Sequence, residues 1–140
     1  MKSFFSFGKS NSSPKASNDG IKRLWLDMGE PGIFVYPAGA HDRWQDHGLG
    51  LLRTVMRDNG IETDLFSLRS LKKWEELPKR LEGYDQLLMN VRSYTYPFAY
   101  KAAKEFKKVN PHGLVITGGM HATVAPDEME NVPEFDYICG

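Results

Sequence analysis

Short apolar runs alternate with amphipathic stretches along most of the chain. The first run, over 23–27, centres on Leu24, Trp25 and Leu26 and predicts a strand. Residues 28–46 are loop-like, punctuated by Gly29, Pro31, Gly32, Pro37 and Gly39, with a brief extended piece at 33–36. Leu49, Leu52, Val55 and Met56 then recur at helical spacing, with Arg53, Arg57 and Asp58 on the other side, and Asn59-Gly60 ends that helix. Residues 61–68 alternate as a second strand, and 71–81 predict an amphipathic helix weakened by Pro78. A third strand, apolar through its centre, is expected over 84–91, with a loop over 92–96 at its carboxyl end. Ala99, Ala102, Ala103 and Phe106 mark the buried face of the next helix, and Lys101, Lys104, Glu105, Lys107 and Lys108 its solvated face. After a break at 110–113, the unbroken run Leu114-Val115-Ile116 reads as a strand buried on both faces. It stops at Gly118 and Gly119, and Pro126, Asp127 and Glu128 open a short helix after the loop. The fifth strand is expected over 135–139.

Strand alternating with helix implies a parallel sheet with right-handed crossovers and helices on both faces. The expected fold class is α/β: a flavodoxin-like (Rossmann-like), doubly wound sheet of five parallel strands in the order 2-1-3-4-5. Its crevice falls between the first and third strands. Residues 1–20, rich in Ser, Asn and Lys, are expected to be a disordered tail, although Phe4, Phe5 and Phe7 could dock on a neighbour. The domain proper is expected to cover 21–140.

A chain of 140 residues with 41% apolar and 12% aromatic residues suits one domain with a sizeable core. Lys plus Arg equals Asp plus Glu, 18 each, so charge gives no argument for nucleic acid or an anionic membrane as partner. No apolar run has the length of a membrane-spanning helix, and the start of the chain lacks the apolar core of a signal peptide. The one cysteine, Cys139, excludes an internal disulfide and a multi-cysteine metal or iron–sulfur site within the chain, and fits a cytoplasmic protein. Neither a phosphate-binding Gly-x-x-x-x-Gly-Lys-Ser/Thr loop nor a Gly-x-Gly-x-x-Gly turn after the first strand is present.

Ligands of open α/β sheets sit at the carboxyl ends of the strands. Three loops should meet there: 28–46 with the start of the first helix, 92–97 and 117–125. The glycine pair Gly118-Gly119 either supports a tight turn needing positive φ or lets something bulky approach the backbone. His121 is expected at the rim of the site, fixing the loop by a hydrogen bond to backbone. Tyr94, Tyr96 and Tyr100 either pack on a ligand or simply cover the sheet. Asp27 ends the first strand as an acid does in a phosphoacceptor domain, but no second acid stands beside it and no lysine ends the fifth strand.

Gly118-Gly119-Met120-His121-Ala122-Thr123, then Pro126-Asp127-Glu128 and Phe135-Asp136-Tyr137-Ile138, resemble the cobalamin-binding domain that precedes the catalytic barrel of cobalamin-dependent radical SAM enzymes. The resemblance covers nearly all of 22–140. His47-Gly48-Leu49-Gly50-Leu51 stands where that family opens its first helix. Met89-Asn90-Val91-Arg92-Ser93 stands where it ends its third strand, with Asn90 replacing a serine. The resemblance implies that cobalamin is the cofactor, held by Gly118, Gly119, His121, Ala122, Thr123, Asn90, Arg92, Ser93, His47 and Gly50. It also implies a tail base displaced from the cobalt into a slot between sheet and helix. Related domains supply a lower axial ligand from Asp-x-His-x-x-Gly. His47 is the matching residue here, but Gln45 stands in place of the aspartate that would orient and strengthen the imidazole, which argues against cobalt ligation by His47. The implied partner is a radical SAM catalytic domain, in cis or in trans. The chain itself has no Cys-x-x-x-Cys-x-x-Cys for the cluster, so it is not expected to be an enzyme alone. Two other classes fit the pattern: a flavodoxin-like domain for flavin or another small ligand, and a non-binding interaction domain.

Overall fold

The structure, a computed structural model, describes residues 14–28 and 47–140, with His47 represented by its backbone alone. Five strands, β1 (Arg23–Asp27), β2 (Asp64–Ser67), β3 (Gln86–Asn90), β4 (Leu114–Gly118) and β5 (Tyr137–Cys139), form one sheet in the order β2-β1-β3-β4-β5. Every pairing is parallel. The expected flavodoxin-like topology is therefore the observed one. Strand β4 runs two residues further than the apolar run, so Gly118 lies within the sheet, opposite Asn90 and Cys139. Strand β1 has the expected bounds, and β2, β3 and β5 are shorter than expected, because ladder pairing ends before the hydrophobic pattern does.

The pairing register puts Leu24, Leu26, Leu87, Met89, Val91 and Val115 on one face of the sheet. There they pack against Leu77 and Leu81 of α2 (Leu77–Leu81), and against Ala99, Ala102, Ala103 and Phe106 of α3 (Tyr96–Val109). The small alanines let α3 lie close to the strands, and Phe106 fills the space that remains. All the residues expected on the buried face of this helix are buried. The opposite face holds a smaller cluster of Trp25, Leu88 and Leu49, with Met56, Leu65 and Ile116 packed against it. Leu49 and Met56 belong to α1 (His47–Asp58).

Helix α1 forms where expected, but its buried face is rotated. Leu49 is 4% exposed, whereas Leu52 is 45% and Val55 50% exposed. Arg53 takes the inward position. Its Nε and Nη2 donate to the side chain and carbonyl of Thr63, at 3.3 and 3.1 Å. Burial pulls the Arg53 guanidinium below its ordinary value, and the carboxylate of Asp64 opposes that shift.

Two further expectations need correction. The helix expected over 71–81 is shorter: tight 3-10 turns at Leu68–Ser70 and Trp74–Glu76 lead into α2, whose first turn contains Pro78. Proline lacks the N–H that the first turn leaves unpaired anyway, so here it starts a helix and does not weaken one. The expected disordered tail does not extend through 14–20. Ala16 pairs with Lys22, buried Ser17 donates to the Glu62 carbonyl at 2.9 Å, and Arg23 binds Asp19 at 2.8 Å. Residues 1–13, the extended piece at 33–36 and Gln45 lie outside the described residues.

Candidate functional site

The carboxyl edge of the sheet brings together the loop after β3 and the segment after β4. Val91 continues β3 and links the two through backbone: its N–H donates to Gly118 at 2.7 Å, and its carbonyl accepts from His121 N–H at 3.0 Å. Gly119 has φ +100°. A Cβ there would collide with Asn90 Oδ1 and stand 2.8 Å from the Val91 carbonyl oxygen. At Gly118 it would meet the Cys139 carbonyl oxygen at 3.2 Å. Both glycines thus serve close packing of this chain upon itself. The space beside Gly119 is filled by Asn90 and Val91, so the glycine pair does not itself form the slot that a displaced cobalamin tail needs.

The segment after Gly119 is not the expected loop. It is a five-residue helix, α4 (Met120–Val124), followed at once by α5 (Pro126–Glu130). His121 is consequently not at an open rim but 6% exposed. Its ring does not bind backbone. Nδ1 lies 3.0 Å from Ser93 Oγ, and Nε2 lies 3.0 Å from Glu128 Oε2. The Tyr96 ring covers the imidazole at a centroid distance of 4.7 Å. Burial raises the Tyr96 phenol above its ordinary value, with the Glu128 charge adding to the shift. With both ring nitrogens engaged, His121 has none left for a metal. Glu128 was expected only as a helix-opening acid. Its spacing to His121 across two short helices carries no periodic signal.

The turn that holds Ser93 is fixed by Thr95, which is buried. Its Oγ1 accepts from Arg92 N–H at 3.0 Å and donates to the Arg92 carbonyl at 3.1 Å. Arg92 Nη1 donates to the Tyr94 hydroxyl at 3.2 Å. On the two segments that meet here, Tyr94, Met120 and Val124 are each more than half exposed. Met120 and Val124 are one turn apart on α4 and share a face.

The structure therefore gathers Asn90, Arg92, Ser93, Gly118, Gly119, His121, Ala122 and Thr123 at one edge; Ala122 is buried and Ser93 and Thr123 are exposed. Gly50 opens instead onto a recess of about 120 Å3 bordered by Arg53, Thr54, Arg57, Glu62 and Thr63, on the β2 side of α1. The side chain of His47 lies outside the described residues. Asp27, the acid at the end of β1, accepts from Ser67 Oγ at 3.0 Å and pairs with Arg69 at 3.5 Å, so it ties β1 to the turn after β2. Among the described residues no group of three His, Cys, Asp or Glu side chains is placed to hold a metal ion, and no helix is long and apolar enough to cross a membrane.

Compared with protein-family models, curated proteins and solved structures, the chain matches none.

Proposed function

We propose that the chain is a cobalamin-binding module, the partner of a cytoplasmic radical SAM catalytic domain, with the cofactor lying over the carboxyl edge formed by the loop after β3 and helix α4. The observation that carries this reading is the exposure of the apolar side chains Tyr94, Met120 and Val124 on the same two segments that bear the exposed polar groups of Ser93 and Thr123. A broad corrin with amide side chains calls for a flat apolar surface with a few hydrogen-bonding groups at its margin. The Gly-Gly-x-His-Ala-Thr phrase that resembles the family stands at this same edge. The cofactor's tail would lie beside α4 and not in the space next to Gly119, which the chain fills itself.

Paired variants test the location. Met120→Glu places a charge on the proposed corrin surface and is expected to weaken hydroxocobalamin binding at least tenfold by equilibrium dialysis, a loss of about 1.4 kcal/mol. Leu52→Glu, on the exposed side of α1, is expected to bind as the unaltered chain does. Equal affinity in both variants would remove α4 from the site.

A further inference from the structure

Ser93, His121 and Glu128 form a continuous hydrogen-bonded chain that binding of a corrinoid does not require. Glu128 Oε2 lies 3.0 Å from His121 Nε2, and Ser93 Oγ lies 3.0 Å from His121 Nδ1. A carboxylate accepts only, so Nε2 carries the proton in the neutral ring and Nδ1 is left with its lone pair toward the serine hydroxyl. A nucleophile, a base within hydrogen-bond reach, and a third group that orients the base are the parts of an activated serine. The serine end is exposed, the imidazole is buried under Tyr96, and Glu128 is half exposed. The turn bearing Ser93 is held by Thr95 and leads directly into α3, whose amino end favours negative charge developing beside it.

We propose that Ser93 is an activated nucleophile, with His121 its general base and Glu128 the positioning residue, competent for acyl transfer from small activated esters. In the step, Ser93 Oγ bonds to the acyl carbon and its proton passes to His121 Nδ1. The bond from that carbon to the leaving alkoxide breaks, and the alkoxide takes the proton from Nδ1. Water then repeats the sequence on the acyl-serine, releasing the acid and restoring the hydroxyl. The groups that face the imidazole are Ser93 from the loop after β3, Tyr96 from α3 and Glu128 from α5. This site stands independently of the cobalamin reading, and its test contains no corrinoid.

The full chain is treated with a fluorophosphonate probe, which phosphonylates activated serines: the serine oxygen bonds to phosphorus and fluoride leaves. The expected result is a single adduct by intact mass, mapped to Ser93 and absent from Ser93→Ala. His121→Gln is expected to lower the labelling rate about 100-fold, the lower end of what general-base assistance supplies. Glu128→Gln, at a half-exposed position, is expected to lower it roughly tenfold, less than the loss for a fully buried triad acid because water replaces part of the bond. That variant should keep the melting temperature of the unaltered chain, and Glu128→Asp, which keeps a carboxylate on the same helix, should recover part of the lost rate. An adduct at Tyr94 or elsewhere, no adduct, or a Ser93 labelling rate unchanged in His121→Gln and Glu128→Gln would overturn the proposal.

Discussion

Gly119 packs against Asn90 so closely that any Cβ at position 119 would collide with Asn90 Oδ1. The backbone there is also left-handed, with φ +100°. Gly119 is thus the point where the turn after β4 rests on the end of β3. Gly119→Ala is expected to lose about 3 kcal/mol, the sum of a disfavoured φ and a forced shift of packed neighbours. Gly50 gives the opposite case, since a Cβ there meets nothing within 4 Å. Gly50→Ala should gain about 0.5–1 kcal/mol by favouring the helix. Urea unfolding of the two variants checks both signs.

The rotated face of α1 makes a second comparison possible. Leu49→Ala removes a buried side chain beside Trp25 and Leu88 and is expected to cost about 2–4 kcal/mol. Leu52→Ala removes an exposed one and should stay within about 0.5 kcal/mol of the unaltered chain. Equal losses would restore the face that simple periodicity predicts.

Stability in alkali should depend on Tyr84. Its hydroxyl donates to Asp64 Oδ2 at 2.8 Å, and burial, reinforced by that bond and charge, holds the phenol well above its ordinary 10.0. A folded-state value raised above the unfolded one stabilises the protein fully below the unfolded value, and the contribution is lost as pH rises through the folded one. Stability should therefore fall as pH climbs beyond about 10. In Tyr84→Phe this part of the decline disappears, at a cost near neutrality of about 1 kcal/mol for the lost hydrogen bond. Unfolding midpoints of the two proteins between about pH 9 and pH 12 give the comparison.

The sheet was legible in the sequence because each strand is a compact apolar run, and a parallel order follows from the helices between them. Strand ends were less so: Gly118 has no side chain to announce that it belongs to β4. The α1 face differs from the periodic expectation because periodicity counts Arg53 as polar, whereas its bonds to Thr63 turn it inward. Helix α4 was missed because five residues after a glycine pair carry too little pattern. Residues 90–93 and 118–123 stand at one edge, as their strands' order implies, whereas Gly50 lies on α1 beside Thr63. What no pattern could reveal is the pairing of His121 with Ser93 and Glu128, since two short helices and a sheet register set those distances. The same holds for Asn90 and Val91, which fill the space beside Gly119.

The central claim is that this edge holds cobalamin, and the visible spectrum of the loaded protein tests it most directly. The full chain is incubated with hydroxocobalamin, desalted and scanned. Retention of about one equivalent of corrinoid, with bands shifted from those of the free cofactor, is the result predicted. A colourless protein fraction, with all the corrinoid in the small-molecule fraction, would contradict the claim.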